Sequence, residues 1–374
     1  RKMSKSLGNG IDPIEMIEVY GADAVRFSLV TLTTEGQDIK LSTSKFEMGR
    51  NFANKVWNAS RLTLMSLAGE AAGIELSPQE LEGGRTFEDR WILSRLASTA
   101  RAVTEHLEQF RASEAAQAIY EFFWHELCDW YLEAAKPRLR SEQGPRDSAV
   151  AREVLAHVLD QSLRLLHPFA PFLTEAIWRE LKAAARQGAP LAAGDMSADA
   201  LIVSRWPAPP DAQRDEQLEQ QMAFLQDIVR AARRLRKEKG LPETQPMRAT
   251  VSCPEAATAA VVGDHLGFLT KAALLEEVEH GVGIAKPAHS ATSVVGATEL
   301  FFPLEGLIDL EAEKGRLQRQ RRDVSDHIAK IKRQLENPQF LANAPEEVVR
   351  RQMDRARELE DQLQKVTQNL ADLE

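Results

Sequence analysis

Leu310, Leu317, Val324 and Ile331 recur every seventh residue, with Ile328 and Leu335 at the intervening apolar positions and charge almost everywhere else. A seven-residue apolar repeat keeps one narrow seam turned toward a partner, so this segment is committed to a coiled-coil helix. Asn337-Pro338 interrupts the repeat. After Ala344-Pro345 a second series begins, Val349, Ala356, Leu363 and Leu370, partnered by Leu359, Val366 and Leu373. Two such helices joined by a short linker fold back on each other as an antiparallel hairpin. The arm then needs no second chain.

Upstream, the periodicity from about Ser44 to Trp206 is helical throughout. Phe46, Ala53, Trp57, Leu64 and Leu67 are expected to form one inward stripe. Asn51, Asn54, Asn58 and Arg61 lie opposite, with Arg50 and Lys55 beside them. A second helix carries Ile92, Leu96, Val103, Leu107 and Phe110. The third, Ala115 to Lys136, is apolar almost all round, which predicts the buried centre of a bundle with Trp124, Trp130 and Tyr131 in the core. Pro137 is expected to stop it. A fourth helix ends at His167-Pro168, and Pro171 opens a fifth. Ahead of the bundle, Asp12-Pro13 reads as a helix entry, Asp12 as N-cap and Pro13 at the first helical position.

Pro207 to Asp211 is a proline-rich linker. Leu218 to Lys239 is helical and ends in Arg230, Arg233, Arg234, Arg236, Lys237 and Lys239, with Gly240 as a C-cap. Those cations suit either a ligand or the negative end of the helix dipole. Two β-like runs, Arg248 to Ser252 and Ala297 to Pro303, flank a helix around Leu266 to Leu275, so a small α/β unit is expected there. The fold class is therefore mainly α: a helical bundle, a small α/β domain and the coiled-coil hairpin. The expected boundaries are 1–43, 44–206, 207–305 and 306–374.

The first residues are Lys2-Met3-Ser4-Lys5-Ser6, followed by Leu7-Gly8-Asn9-Gly10. Two lysines three apart, with hydroxyls between them and glycines after, can hold a polyphosphate while charge develops on it. The order is not that of a P-loop, in which glycines precede a single Gly-Lys-Ser/Thr. A plain basic tail is the alternative reading of these residues alone. Arg1 comes first and no strand precedes the loop, the arrangement expected of the C-terminal part of a longer polypeptide. A net charge of −9 argues against indiscriminate nucleic-acid binding, so local basic stripes would have to carry any such contact. Cys128 and Cys253, the two cysteines, read as buried thiols, and no metal site is expected although His125 and Cys128 share a helical face. With no long apolar run or signal segment, a soluble, cytoplasmic protein is expected.

In order along the chain, the opening loop, Gly21-Ala22-Asp23-Ala24-Val25-Arg26, Asn51-Phe52-Ala53-Asn54-Lys55-Val56-Trp57-Asn58-Ala59 and Phe123 to Tyr131 resemble successive stretches of the bacterial valyl-tRNA synthetases. Leu165-Leu166-His167-Pro168-Phe169-Ala170-Pro171-Phe172-Leu173-Thr174-Glu175 continues the resemblance. Asn337-Pro338, Phe340 and Ala344-Pro345-Glu346-Glu347-Val348-Val349 complete it. The loop and bundle are shared with the isoleucyl and leucyl enzymes. The coiled-coil ending selects the valyl branch, because similar isoleucyl enzymes tend to end in a cysteine-rich zinc module.

The resemblance implies a class I enzyme that activates valine with ATP and Mg2+ and esterifies the terminal ribose of tRNA(Val). It assigns ATP binding to Lys2, Met3, Ser4, Lys5 and Ser6, with Lys5, assisted by Lys2, steadying the transition state. It implies tRNA contacts at Arg50, Asn51, Asn54, Lys55, Asn58 and Arg61 through the anticodon, where splayed bases are read by stacking and edge hydrogen bonds. Leu62 stands where many relatives carry an aromatic. It also implies contacts from the arm, whose first helix is basic through Lys314, Arg316, Arg319, Arg321 and Arg322. The family's His-Ile-Gly-His signature, valine pocket and editing domain are not in this sequence, so these residues alone are expected to be catalytically inactive. A monomer is expected. The alternatives are an isoleucyl or leucyl enzyme, or a non-catalytic tRNA-binding or scaffold protein.

Overall fold

The computed structural model describes residues 10–33, 41–67, 74–186, 197–337, 340 and 345–371. The chain divides into two units, Arg1–Gln220 and Gln221–Glu374.

The first unit is helical. Helix α1 (Pro13–Tyr20) starts as its sequence dictates: the Asp12 carboxylate accepts from the Ile14 amide at 2.8 Å and Pro13 occupies the first turn. Gly21, at φ 92°, lets the chain turn directly into α2 (Ala22–Leu32). Helix α3 (Thr43–Leu67) lies against α2 so closely that a Cβ on Gly49 would collide with the Ala24 carbonyl oxygen and Ser28 Oγ. Gly49→Ala is therefore expected to cost about 1–3 kcal/mol by forcing the two helices apart. A chemical-denaturation midpoint unchanged from the parent would refute that contact.

Helices α4 (Pro78–Gly84), α5 (Phe87–Glu108), α6 (Ala112–Glu121), α7 (Leu132–Leu139), α8 (Pro145–Leu166) and α9 (Pro171–Arg186) complete the bundle. Its core is built from large side chains excluded from solvent, among them Phe46, Phe122, Phe123, Tyr131, Leu155 and Trp178. Between α6 and α7 the residues Phe122–Tyr131 form a π-helix. The long third helix expected from the sequence thus contains a wider segment. It also runs through Pro137 instead of stopping there, and its last turn ends at Leu139.

A buried polar knot holds this region. Asp89 closes a capping box with Thr86 at the start of α5. The same carboxylate accepts from Tyr131 Oη at 2.7 Å and from the Arg138 guanidinium at 2.6 Å, and Arg138 Nε donates to Asp147 at 2.8 Å. A second tie runs from α2 to α9: Asp23 accepts from the Leu173 amide at 2.6 Å. Burial raises the Asp23 pKa despite that hydrogen bond.

Helix α10 (Glu216–Glu238) begins in this unit, with Glu219 gripped by Ser94 at 2.5 Å and Arg95 at 2.7 Å. Burial would raise the Glu219 pKa, but these partners outweigh it and hold the carboxyl below its usual range.

In the second unit, a sheet of order β2-β1-β4-β3 is built from β1 (Met247–Cys253), β2 (Leu275–Val282), β3 (Ser290–Val295) and β4 (Thr298–Pro303). Strands β1 and β2 are parallel, joined through α11 (Ala256–Asp264) and α12 (Leu266–Ala273), whereas β1–β4 and β3–β4 are antiparallel. The reading from sequence found β1 and β4 but not β2 and β3. Edge strand β2 carries the exposed Glu276, Glu277 and Glu279, a composition that blocks pairing with another chain and masks a strand pattern.

The basic end of α10 is largely structural. Arg233 donates to the Ala272 carbonyl at 2.8 Å, and Arg236 to the Ala273 and Leu274 carbonyls at 2.9 and 3.1 Å, satisfying the orphan acceptors at the end of α12. Helices α13 (Leu310–Leu335) and α14 (Glu346–Ala371) form the coiled-coil hairpin. Val324, Ile328 and Leu359 form its buried seam with Ile331 and Leu363 packed against it, and Lys332 pairs with Glu360 across the two helices at 2.7 Å. No helix among the described residues is long and apolar enough to cross a membrane.

Candidate nucleic-acid interface

Helix α3 turns Phe46, Phe52, Val56, Ala59, Thr63 and Leu67 inward. At 3.6 residues per turn this stripe is rotated by about a quarter turn from the one the sequence suggested. The consequence falls on Trp57, expected in the core but 47% exposed. Its neighbours on the outward face are Arg50, Asn54, Asn58 and Arg61, with Asn51, Leu62 and Met65 on the flank, all exposed. The face therefore combines amide donors and acceptors, guanidinium groups and one indole. That is the equipment for reading unstacked bases by their edges while holding them by their planes.

The cations on this face differ in what already holds them. Arg50 lies 5.3 Å from the centre of the Tyr20 ring. Lys55 is half-buried, paired with Asp129 at 2.9 Å and placed 5.2 Å from the Trp124 ring. Asp129 is shared with His125 Nδ1 at 3.2 Å. Of the proposed contacts, Lys55 is thus the most committed to the protein. Asn51, Asn54, Asn58 and Arg61 have no side-chain hydrogen bond or ion pair among the described residues.

Trp57 escaped the sequence reading because an apolar residue at helical spacing from Phe46 and Leu64 was counted toward the core. Phe52, Val56 and Ala59 define a stripe on the other side, and weighing them would have turned Trp57 outward. Trp130 and Tyr131 are buried as expected, and Trp124 is half-buried within the cluster formed by Phe52, Tyr120 and Lys55. Cys128 and Cys253 are both buried, and burial pushes the Cys128 thiol up to about 12. No cluster of His, Cys, Asp and Glu among the described residues could hold a metal ion.

On the arm, Arg316 is fixed to Glu313 by two hydrogen bonds of 2.7 Å. Arg319 donates to the Gly315 carbonyl at 3.3 Å, and Arg322 is exposed without a partner among the described residues. The loop of Lys2, Met3, Ser4, Lys5 and Ser6 lies outside the described residues.

Comparison with known proteins matches three stretches of the chain. Residues 1–42 match the class I tRNA synthetases of the I, L, M and V group, residues 89–252 the anticodon-binding domain of tRNA ligases, and residues 309–374 the valyl tRNA synthetase tRNA-binding arm. Valine–tRNA ligase of Symbiobacterium thermophilum is 40% identical over 99% of this chain and 41% of its own length. Those of Fervidobacterium nodosum and Thermotoga maritima are each 38% identical over 100% of this chain and 40% of theirs. The chain thus spans about two-fifths of the length of the curated relatives it matches. With every stretch of it aligned at such identity, and with a valyl-type arm as its final segment, the chain belongs to the valine–tRNA ligase family of class I aminoacyl-tRNA synthetases.

Proposed function

We propose that this chain is the tRNA-handling part of an enzyme that activates valine with ATP and Mg2+ and transfers it to tRNA(Val). In this reading residues 1–43 supply the phosphate loop and the helices that follow it. Residues 44–206 read the anticodon, 207–305 form a junction, and 306–374 lean on the tRNA as an arm. The protein works as a monomer in the cytoplasm. Lys2 and Lys5 act on the ATP phosphates within the loop completed by Met3, Ser4 and Ser6. Arg316, Arg319 and Arg322 meet the RNA backbone from the arm.

The observation that carries the anticodon assignment is the outward face of α3. Four polar side chains with no side-chain hydrogen bond or ion pair among the described residues share the exposed side of this helix with an exposed indole. Exposed indoles are costly to leave in water and useful against a base. The segment lies between the matched class I span and the matched anticodon-binding span, inside the aligned stretch of the valine–tRNA ligases.

The test is a binding titration of this chain with valine tRNA transcripts carrying the natural and altered anticodons. Loss of one stacked base costs about 1–3 kcal/mol. Trp57→Ala is accordingly expected to weaken the natural transcript roughly tenfold and to narrow its advantage over the altered ones. Since Trp57 is exposed, the fold should be unaffected. Equal affinity of parent and variant for every transcript would dispose of the assignment. Charging assays with the complete enzyme and valine, isoleucine and leucine tRNAs check the amino-acid branch.

A further inference from the structure

A cleft of about 350 Å³ opens between α2, the turn joining α8 to α9, and the stretch Leu201–Trp206. Its lining includes Arg26, Arg164, His167, Ile202, Arg205 and Trp206 and contains no carboxylate. The size is that of a small-molecule site. Of the three guanidinium groups in this concavity Arg164 is paired with buried Asp160 and Arg26 feels the charge of Asp23, so Arg26, exposed to solvent, is the group placed to meet an anion.

The acidic groups nearby have hydrogen-bond partners of their own, one of them the cleft residue Arg164. Asp160 holds Arg164 at 3.0 Å and Trp178 Nε1 at 2.9 Å. Glu175 accepts from Arg179 at 2.7 Å and the Leu201 amide at 2.8 Å. Asp23 is turned to the Leu173 amide. Arg164 also donates to the Arg205 carbonyl at 3.1 Å, which fixes the backbone of the cleft wall. Arg26 is exposed and has no hydrogen bond or ion pair among the described residues.

His167 adds a group of the opposite kind. Its Nδ1 lies 2.8 Å from Thr174 Oγ1, and that hydroxyl gives its one proton to the Ala170 carbonyl at 2.8 Å. With that proton donated to the carbonyl, the hydrogen is assigned to Nδ1 and Nε2 is left as an acceptor. Nε2 is buried in the cleft wall with no hydrogen-bond partner among the described residues. Burial lowers the pKa of this imidazole, which keeps it neutral and accepting. Trp206 contributes a plane. Its Nε1 is anchored to Thr104 Oγ1 at 2.8 Å while 37% of the residue stays exposed.

A ligand that satisfies all three must bring an anion for Arg26, a hydroxyl donor for His167 Nε2 and a flat ring for Trp206. We propose that this cleft binds a ribonucleotide unit, with its phosphate on Arg26, a ribose hydroxyl on His167 and its base against Trp206. A peptide carboxylate lacks the hydroxyl, and a deoxy sugar lacks it at the position that distinguishes RNA. The unit can belong to a bound tRNA strand or to a free nucleotide.

Both sources are tested on this chain with AMP, 2′,3′-dideoxy-AMP and valine tRNA transcript, read by calorimetry and by the fluorescence difference between the parent and Trp206→Phe. AMP is expected to bind saturably, the dideoxy analogue at least fivefold more weakly, and Arg26→Ala to weaken AMP at least tenfold. Arg26 is exposed, so this variant should keep its denaturation midpoint. Absence of saturable AMP binding, or equal binding by Arg26→Ala, overturns the site. Displacement of AMP by the transcript assigns the cleft to the RNA strand, and AMP binding that the transcript leaves untouched assigns it to a free nucleotide. The site stands apart from the anticodon reading: Arg26→Ala should leave discrimination between anticodons intact, and a failure of Trp57→Ala leaves the AMP result in force.

Discussion

Arg138→Ala is expected to lower the stability of the helical unit by about 3–5 kcal/mol. Arg138 is 5% exposed and Asp89 fully buried, and the guanidinium is the cation that compensates the Asp89 charge at 2.6 Å. Truncation leaves a carboxylate stranded in the core, with the Tyr131 hydroxyl and the Thr86 amide as its remaining donors. Burial, with Asp89 beside it, keeps the Tyr131 phenol protonated, so it donates a hydrogen bond but supplies no charge. Asp147 loses its hydrogen bond from Nε as well. Denaturant titration of parent and variant measures the loss, and the double variant Asp89→Asn with Arg138→Met should be less damaged than Arg138→Ala alone. A cost below about 1 kcal/mol for Arg138→Ala would mean that solvent reaches Asp89 and that the knot is not the anchor described.

On the proposed function, Lys5→Ala in the complete enzyme is expected to slow formation of valyl adenylate by a hundredfold or more, which corresponds to about 3 kcal/mol of transition-state stabilisation. Charge develops on the phosphates only as the pyrophosphate departs. An ammonium group poised for that moment raises the rate without tightening the ground-state complex to the same degree. Pyrophosphate exchange at saturating ATP, with ATP affinity measured separately, splits the two effects. A loss in affinity equal to the loss in rate would make Lys5 an ordinary binding group and not a transition-state one.

The elements that could be read from sequence are those governed by local chemistry. Asp12-Pro13 announced α1, the heptads announced both arm helices, and Gly240 closed α10, its φ of 65° allowing Leu241 to donate back to the Arg236 carbonyl. Facts set by tertiary contact were hidden. The rotation of α3 depends on α2, which takes Gly49 at near contact and so decides that Phe52 and Val56 face inward. The π-helix from Phe122 has ordinary helix-forming residues, and its extra width is visible only in the backbone. Pro137 lies inside α7, and the chain keeps its helical course past it to Leu139. From sequence the arginines of α10 suited either a ligand or the helix dipole, and only the folded chain brings the carbonyls ending α12 beside Arg233 and Arg236. For the interface, residue types were legible and exposure was not: the polar stripe was found, and its indole was assigned to the wrong side.

The loose seating of α1 has a mechanical consequence. That helix has no fully buried residue, whereas α2 is pinned twice, by Asp23 to the first turn of α9 and by its glycine-width seam with α3. A tug arriving from the N-terminal side is expected to be taken up first as swivelling about Gly21, like a trailer on its hitch, with the Tyr20 ring against Phe46 and Arg50 as its stop. Downstream of that joint the indole and asparagines of α3 hold their bearing.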